Sequence, residues 1–407
     1  MTDIILIINA GSSSIKFALY SPGGQRDTLV CLFRGAIQDI GARACLRVSE
    51  NALRHGGSAA IAGEAHTHEA ALQQILEWMA TLAPHYRLVA AGHRVVHGGM
   101  AFKAPIRLDR ESLSRLQDLI PLAPMHQPHS LLAVEHLLSA APELPQIACF
   151  DTAFHSTMPP VEQYFALPRA FAERGIRRYG FHGLSYEYIA SVLPGCMGAG
   201  ASGRVVVAHL GHGVSLCAMQ ALRSIATTMS FTPLDGLPMA TRCGAIDAAA
   251  VLYLLSEPGM TIEALTDLLY RQSGLLGLSG VSDDIRTLLD SDSAAAAEAI
   301  AIFVQRIQRE IGSLAAALGG LDALVFTGGI GEHSAPVRRA ICSAAAWLGL
   351  SLDETANAAG AICISTADSR VSVWIIPTDE EQVVAQHTAA VLAAGSGGGA
   401  QNTGRDG

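Results

Sequence analysis

The chain has 407 residues, room for about two or three domains of roughly 150 residues each. Half of the residues are hydrophobic and 15% are charged, so a sizeable core is available and global disorder is excluded. The net charge of −9 gives no electrostatic footprint for nucleic acid and no attraction to an anionic membrane.

The first elements read as strand, tight polar turn, strand: IILIIN, then AGSSS, then IKFALY. Ser21-Pro22-Gly23-Gly24 turns the chain again. Residues 66–82 place apolar side chains at helical spacing. AAGHRVVHGG (90–99) reads as a strand running into a glycine loop, 111–120 and 130–140 as helices, and IACFDTAF (147–154) as a buried strand ending in polar residues.

RVVVAHLGHGVSLCAM (204–219) repeats the opening pattern of apolar strand, Gly-rich polar turn and apolar strand. The repeat predicts a duplicated domain with an equivalent hairpin in each half. Residues 195–203, just before it, read as an exposed Gly-rich loop. ALVFTGGIGEHS (323–334) is a third strand ending in a Gly-rich turn, followed by a helix whose first turn includes Pro336. WIIPTDEE (374–381) is a late strand entering an acidic helix start, and the Gly-rich tail 395–407 reads as disordered. Strands alternating with helices give an α/β class. The expected domains are 1–150, with a C-terminal helix over about 381–394 packing back on it, and 151–380.

Eight cysteines are scattered without a CxxC pair or a Cys/His ligand spacing, which speaks for free thiols and against zinc. The start, Met1-Thr2-Asp3, is not basic, and the apolar run 4–8 is too short for a signal-peptide core. With no apolar run of about 18 residues, the expected address is cytoplasmic. Only two lysines occur, Lys16 and Lys103, and neither ends a Gly-Lys-Ser/Thr phosphate loop.

Glycine turns after strands present backbone N–H groups to anions. One is weak evidence. Three, at Gly11–Ser14, Gly211–Gly213 and Gly328–Gly331, point to a polyphosphate. Asn9 ends a strand, where it is either the first residue of an Asx turn or a magnesium ligand; Glu380 is either a favourable charge at a helix start or a second ligand. Arg94 and Arg242 sit in loops, where simple solvation is the bland alternative. Asp151 ends an apolar strand, and a buried carboxylate there requires a partner. His182 follows an aromatic residue and on its own would be structural.

INAGSSSIKF, GHRVVHGG, PLAPMHQP, FDTAFHSTMP, RRYGFHG, HLGHGVSL, SFTPLDGLPMATRCG, SGLLGLSGVSDDIR, FTGGIGEHS and IPTDEE resemble, in order, the motifs of the acetate kinase family, over residues 4 to about 390. The resemblance implies two ribonuclease-H-like domains of the sugar kinase, Hsp70 and actin superfamily with a nucleotide cleft between them, and a homodimer. It implies phosphoryl transfer from ATP to acetate with Mg²⁺, or Mn²⁺ in its place. By the same resemblance Asn9 and Glu380 position the metal, Arg94 binds the carboxylate, Asp151 is the essential carboxylate, and His182 and Arg242 stabilise the transferring phosphoryl group. Val96, Met125, Phe181 and Pro233 would enclose the methyl group. Lys16 would lie near the nucleotide, and His209, Leu210, Gly211, His212, Gly213, Asp284, Ile285, Arg286, Gly329, Ile330, Gly331, Glu332 and His333 would line its site.

A carboxylate is ionised near pH 7 and needs no base to attack. Positioning and charge cancellation therefore carry the expected catalysis. Asp151 is expected to orient an arginine or metal-bound water rather than to become phosphorylated. The chain departs from the family pattern at His212 (usually Asn), Ala240 (Gly), Tyr186 (His), His333 (Asn), Ile285 (aromatic) and Met125 (Leu). His212 and Ala240 add bulk where backbone approaches phosphate. Three alternatives follow: a propionate or butyrate kinase, a slow nucleotide-binding relative, and a nucleotide switch on the same fold.

Overall fold

The computed structural model describes residues 1–11, 14–22, 29–38, 40–41, 45–50, 58–61 and 65–397. Ser12 and Ser13 of the first turn, Gly23 and Gly24 of the next, and tail residues 398–407 lie outside the described residues. The chain divides into two units. Unit 1 takes Met1–Ala153 and Asp379–Gly407, and unit 2 takes Phe154–Thr378. Asp151 and Glu380 thus both belong to unit 1.

Unit 1 is built on strands β1 (Thr2–Ala10), β2 (Ile15–Pro22), β3 (Leu29–Gln38), β4 (Cys45–Glu50), β5 (Ser58–Ile61), β6 (Tyr86–Val95), β7 (Ile106–Arg107) and β8 (Gln146–Phe150). They form one sheet in the order β5-β4-β3-β2-β1-β6-β8-β7. Strands β1 to β5 meander antiparallel, whereas β1, β6 and β8 run parallel. Ile4–Ile8 of β1 are all buried, as a strand covered on both faces requires. Alternation splits them. Ile4, Leu6 and Ile8 pack with Ala71, Leu72 and Ile75 of helix His68–Leu82, whose cap is Thr67, accepting from the Ala70 N–H at 3.1 Å. On the opposite face the C-terminal helix Glu380–Gly397 packs on β1 and β6. Gly92 permits that approach, because a Cβ there would lie 2.3 Å from Thr388 Oγ1 and 2.9 Å from Val384 Cγ1. The helix thereby brings its first residues to the face that carries Asn9.

Unit 2 repeats the scheme with β9 (Arg204–Leu210), β10 (Val214–Gln220), β11 (Arg223–Thr227), β12 (Ala323–Thr327) and β13 (Ser372–Ile375), ordered β11-β10-β9-β12-β13. Again the first three are antiparallel, and β9, β12 and β13 run parallel. Val205, Val207, Ala323 and Val325 pack against Tyr186, Ile189 and Leu193 of helix Gly183–Met197. The 25-residue helix Ala294–Leu318 packs on β9, β10 and β11. The expected duplication and the ribonuclease-H-like fold are therefore present in both units.

Two local expectations change. Residues 195–203 are no open loop: 195–197 finish helix Gly183–Met197, Gly198–Ser202 is a 3-10 turn, and Ala201 is buried. Burying Ala201 outweighs the glycine composition. The Gly-rich segment after β12 is itself helical, Gly328–His333, and Pro336 then sits in the first turn of a separate helix, Ala335–Ala344.

Candidate active site

In unit 1 the carboxyl ends of three adjacent parallel strands gather polar groups, the usual ligand edge of such a sheet. Asn9 is next to last in β1, Arg94 next to last in β6, and Asp151 directly follows β8. Arg94 donates from Nε to Asp151 Oδ1 at 2.9 Å and from Nη2 to Asp151 Oδ2 at 2.5 Å. Its Nη1 donates to Asn9 Oδ1 at 2.9 Å. Glu380, opening the C-terminal helix, brings Oε2 to 3.7 Å from Arg94 Nε. Asp151 is 1% exposed, and its side-on grip of the guanidinium supplies the partner that a buried carboxylate requires. Burial alone would make Arg94 less basic. The Asp151 and Glu380 carboxylates more than offset it, so the guanidinium is held charged. Burial pushes the Glu380 carboxyl up, while Arg94 pulls it down.

Lys16 stands opposite Asn9 across β1 and β2 and is exposed. Val96 is buried just beyond β6, and Met125 is half-buried before helix Gln127–Ala140. Phe181 and Pro233 lie in unit 2, where the Phe181 carbonyl accepts from His155 at 2.9 Å and the Pro233 carbonyl from Arg242 Nη1 at 3.0 Å.

Unit 2 has a different character. His209 and Leu210 end β9, and Gly211–Gly213 forms the turn to β10, closed by Gly211 N–H to the Gly213 carbonyl at 3.0 Å. His182 adopts left-handed backbone at φ 58°, a conformation that non-glycine residues hold only when their surroundings impose it. Its ring stacks on His209 with centroids 4.2 Å apart, and Nδ1 meets Ser215 Oγ at 2.9 Å. Tyr186, one of the departures, meets the same hydroxyl at 2.5 Å. A side chain at Gly213 would meet His182 Nε2 at 3.1 Å and Arg242 Nη1 at 3.7 Å, so both His182 and Arg242 border this turn.

Beside it opens a cavity of ≈780 Å³, lined by Gly211, His212, Asp284, Ile285, Arg286, Gly329, Ile330 and His333 from the expected set, a size suited to a small-molecule ligand. Ala240, Asp283, Leu289, Asp290, Ser334 and Pro336 also line it. Of these the sequence placed Ala240 near phosphate and named Pro336 only as a helix-start residue. The Ser334 hydroxyl is buried without a hydrogen-bond partner among the described residues; as the last residue of FTGGIGEHS it was quoted but assigned no role. Gly331 is buried in the helix rather than lining the cavity. The Glu332 carboxylate turns inward, accepting from Gly328 N–H at 2.8 Å. Arg286 pairs with Asp284 at 2.6 Å in the open, its side chain 83% exposed.

A sequence model described as "Acetokinase family" matches residues 4–386. The chain is 56% identical over 394 residues to an acetate kinase of Rhodopseudomonas palustris, covering 95% of this chain and 98% of that one. It is 46% identical to an acetate kinase of Rhizobium meliloti, covering 96% and 99%. Among solved structures it is similar to an acetate kinase of Porphyromonas gingivalis (31% identity, TM-score 0.83) and to a propionate kinase of Francisella tularensis (34%, TM-score 0.88), each match covering 96% of this chain and 100% of the other. With its sheet order, its polar strand ends and nearly its whole length matched, the chain belongs to the acetokinase family.

Proposed function

We propose that the chain catalyses reversible phosphoryl transfer from ATP to acetate, giving acetyl phosphate and ADP, and that it requires Mg²⁺. The observation that carries this reading is the buried Arg94–Asp151 pair at the ligand edge of unit 1, in a chain so similar to acetate kinases. Three of the five guanidinium N–H bonds go to Asp151 and Asn9. The other two can receive the acetate carboxylate, so Asp151 acts by aiming Arg94.

One acetate oxygen forms the new bond to the γ-phosphorus as the bridging bond to the β-phosphate breaks; ADP keeps the electron pair, and no proton moves. Arg242 and His182 are suited to meet the charge on the transferring group, with His182 oriented by Ser215 and His209. The cavity beside Gly211 is suited to the nucleotide. Asn9 and Glu380 offer only oxygen donors, which fits a hard cation that keeps water and phosphate ligands. Among the described residues no group of three His, Cys, Asp or Glu side chains could hold a metal. When bound, Mg²⁺ would neutralise phosphate charge.

A propionate preference is the second reading, favoured by the likeness to a propionate kinase. One methylene in an apolar pocket is worth only about 1–3 kcal/mol. We also place the enzyme in the cytoplasm, as eight scattered cysteines without a CxxC pair suit a reducing compartment. No described helix is long and apolar enough to cross a membrane. A homodimer is supported by helix Ala248–Ser256, an AAAVLYLLS segment with no buried residue, beside which Ile262 is 70% exposed. Such apolar surface marks an interface.

The test is a hydroxamate assay with ATP and Mg²⁺ on acetate, propionate and butyrate. Wild type should give Mg²⁺-dependent acetyl hydroxamate, and Asp151→Asn should lose about 10²–10³-fold in kcat. A higher kcat/KM on propionate or butyrate would overturn the acetate assignment, and an unimpaired Asp151→Asn would overturn the site.

A further inference from the structure

The Gly328–His333 helix puts Gly329, Ile330 and His333 on the cavity, yet nothing in its own sequence makes it stable. It is six residues long and includes Gly328, Gly329 and Gly331. Helices this short do not hold by themselves, and glycine is among the poorest helix formers. Its order must come from outside the ladder, and two charged side chains supply it. At the N-terminal end Glu332 Oε1 accepts from Gly328 N–H at 2.8 Å, from the Thr327 hydroxyl at 3.4 Å and from Thr378 N–H at 3.2 Å. At the C-terminal end Arg338, only 2% exposed, donates from Nη1 to the carbonyls of Gly331 at 3.0 Å and Glu332 at 2.9 Å. Asn357 holds Arg338 in turn, taking Nε on Oδ1 at 2.8 Å and Nη2 on its carbonyl at 2.9 Å. Anion at the amino end and cation at the carboxyl end is the arrangement the helix dipole favours. A single Glu332 oxygen also joins the end of β12 to Thr378, the last residue of unit 2.

We infer that Glu332 is a positioning residue for nucleotide binding: it touches no ligand and instead fixes the Gly328–His333 helix against Thr378, with Arg338 clamping the other end. This rests on the assignment of the ≈780 Å³ cavity to the nucleotide. The carboxylate is absent from the cavity wall and spends its acceptor on backbone N–H groups, so hydrogen bonding to these amides should be its contribution rather than charge toward phosphate.

The experiment titrates ADP into full-length protein by calorimetry and measures the acetate KM in parallel. Glu332→Ala should weaken ADP binding about tenfold or more, the loss expected when buried amide donors lose their acceptor, and should leave the acetate KM within about twofold. Amide exchange at Gly328 and Thr378 should quicken in the same variant. Glu332→Gln keeps an acceptor oxygen and should stay within about threefold of wild type. A folded Glu332→Ala protein with ADP affinity within about twofold of wild type overturns the inference, and so does Glu332→Gln losing as much as Glu332→Ala, since charge would then be what matters. If Glu332→Ala does not fold, Glu332→Asp serves: the carboxylate retreats by one methylene, affinity should fall about tenfold, and unchanged affinity overturns the inference. Ile330→Trp, which fills the cavity, separates the two levels. If it leaves ADP affinity intact, the cavity is not the nucleotide site and the assignment beneath the inference fails.

Discussion

Units 1 and 2 share one five-strand order, β3-β2-β1-β6-β8 in the first and β11-β10-β9-β12-β13 in the second, but the same strand ends are furnished differently. Unit 1 places side-chain charge there: an arginine gripped by a buried aspartate, with an asparagine and a glutamate around it. Unit 2 places mostly backbone there, in glycine turns bordered by Arg242, with Asp284 and Arg286 paired in the open and Glu332 turned inward. The difference matches two kinds of anion. A small carboxylate offers two oxygens and is best met by one aimed guanidinium, whereas a polyphosphate offers many and is met by rows of N–H groups. A duplicated scaffold can therefore be specialised at its strand ends while its core stays the same.

Each unit holds an aspartate–arginine pair, so the contrast can be broken directly. Arg94→Leu strands the Asp151 charge in the interior and should cost about 3–5 kcal/mol in chemical unfolding. Arg286→Leu breaks an equally short pair with an 83% exposed arginine and should cost about 0–1 kcal/mol. Similar losses would mean that burial is not what separates the two ends.

Much of this was legible in the chain. The repeated strand–glycine–strand pattern at residues 4–20 and 204–219 gave the duplication, because apolar runs bounded by turn residues leave few alternatives. Asn9 and Asp151 could each be placed at a strand end, whereas Arg94, read as a loop residue, lies within β6 because its strand runs one residue further; their mutual bonds depend on the register of β1, β6 and β8 and could not be read. Composition misled at 195–203, where helix continuation and the burial of Ala201 prevailed over glycine content. Glu332 was legible as a motif residue, but the direction of its side chain was not, because Thr378 approaches it from 46 positions away.

An intermediate effect should appear on the surface of unit 2. Helix Ala248–Ser256 exposes Leu252 and Tyr253 by 68% and 65%. Leu252→Glu should shift sedimentation from dimer to monomer at micromolar protein while leaving the thermal midpoint almost unchanged, because a residue so exposed contributes about 0.5 kcal/mol or less to the fold of one chain. A dimer that survives the charge places the interface elsewhere.

The smallest effect should come from the departures beside the glycine turn of unit 2. His212 and Ala240 both line the cavity, and the Ala240 N–H reaches the His212 carbonyl at 3.4 Å. That bond uses backbone alone, so asparagine and glycine would keep it. Although His212 is largely exposed, desolvation and then the Arg242 cation hold its imidazole below the ordinary pKa. It therefore brings bulk to the cavity edge with its charged form disfavoured. The double variant His212→Asn, Ala240→Gly should change the ATP KM by no more than about threefold, under ~0.7 kcal/mol, and the added glycine should cost about 0.4–1 kcal/mol of stability. A rise in kcat of tenfold or more would show instead that the two side chains hold the nucleotide off its best position. The backbone end of unit 2 would then be as sensitive to two modest side-chain changes as the charged end of unit 1 is to one guanidinium.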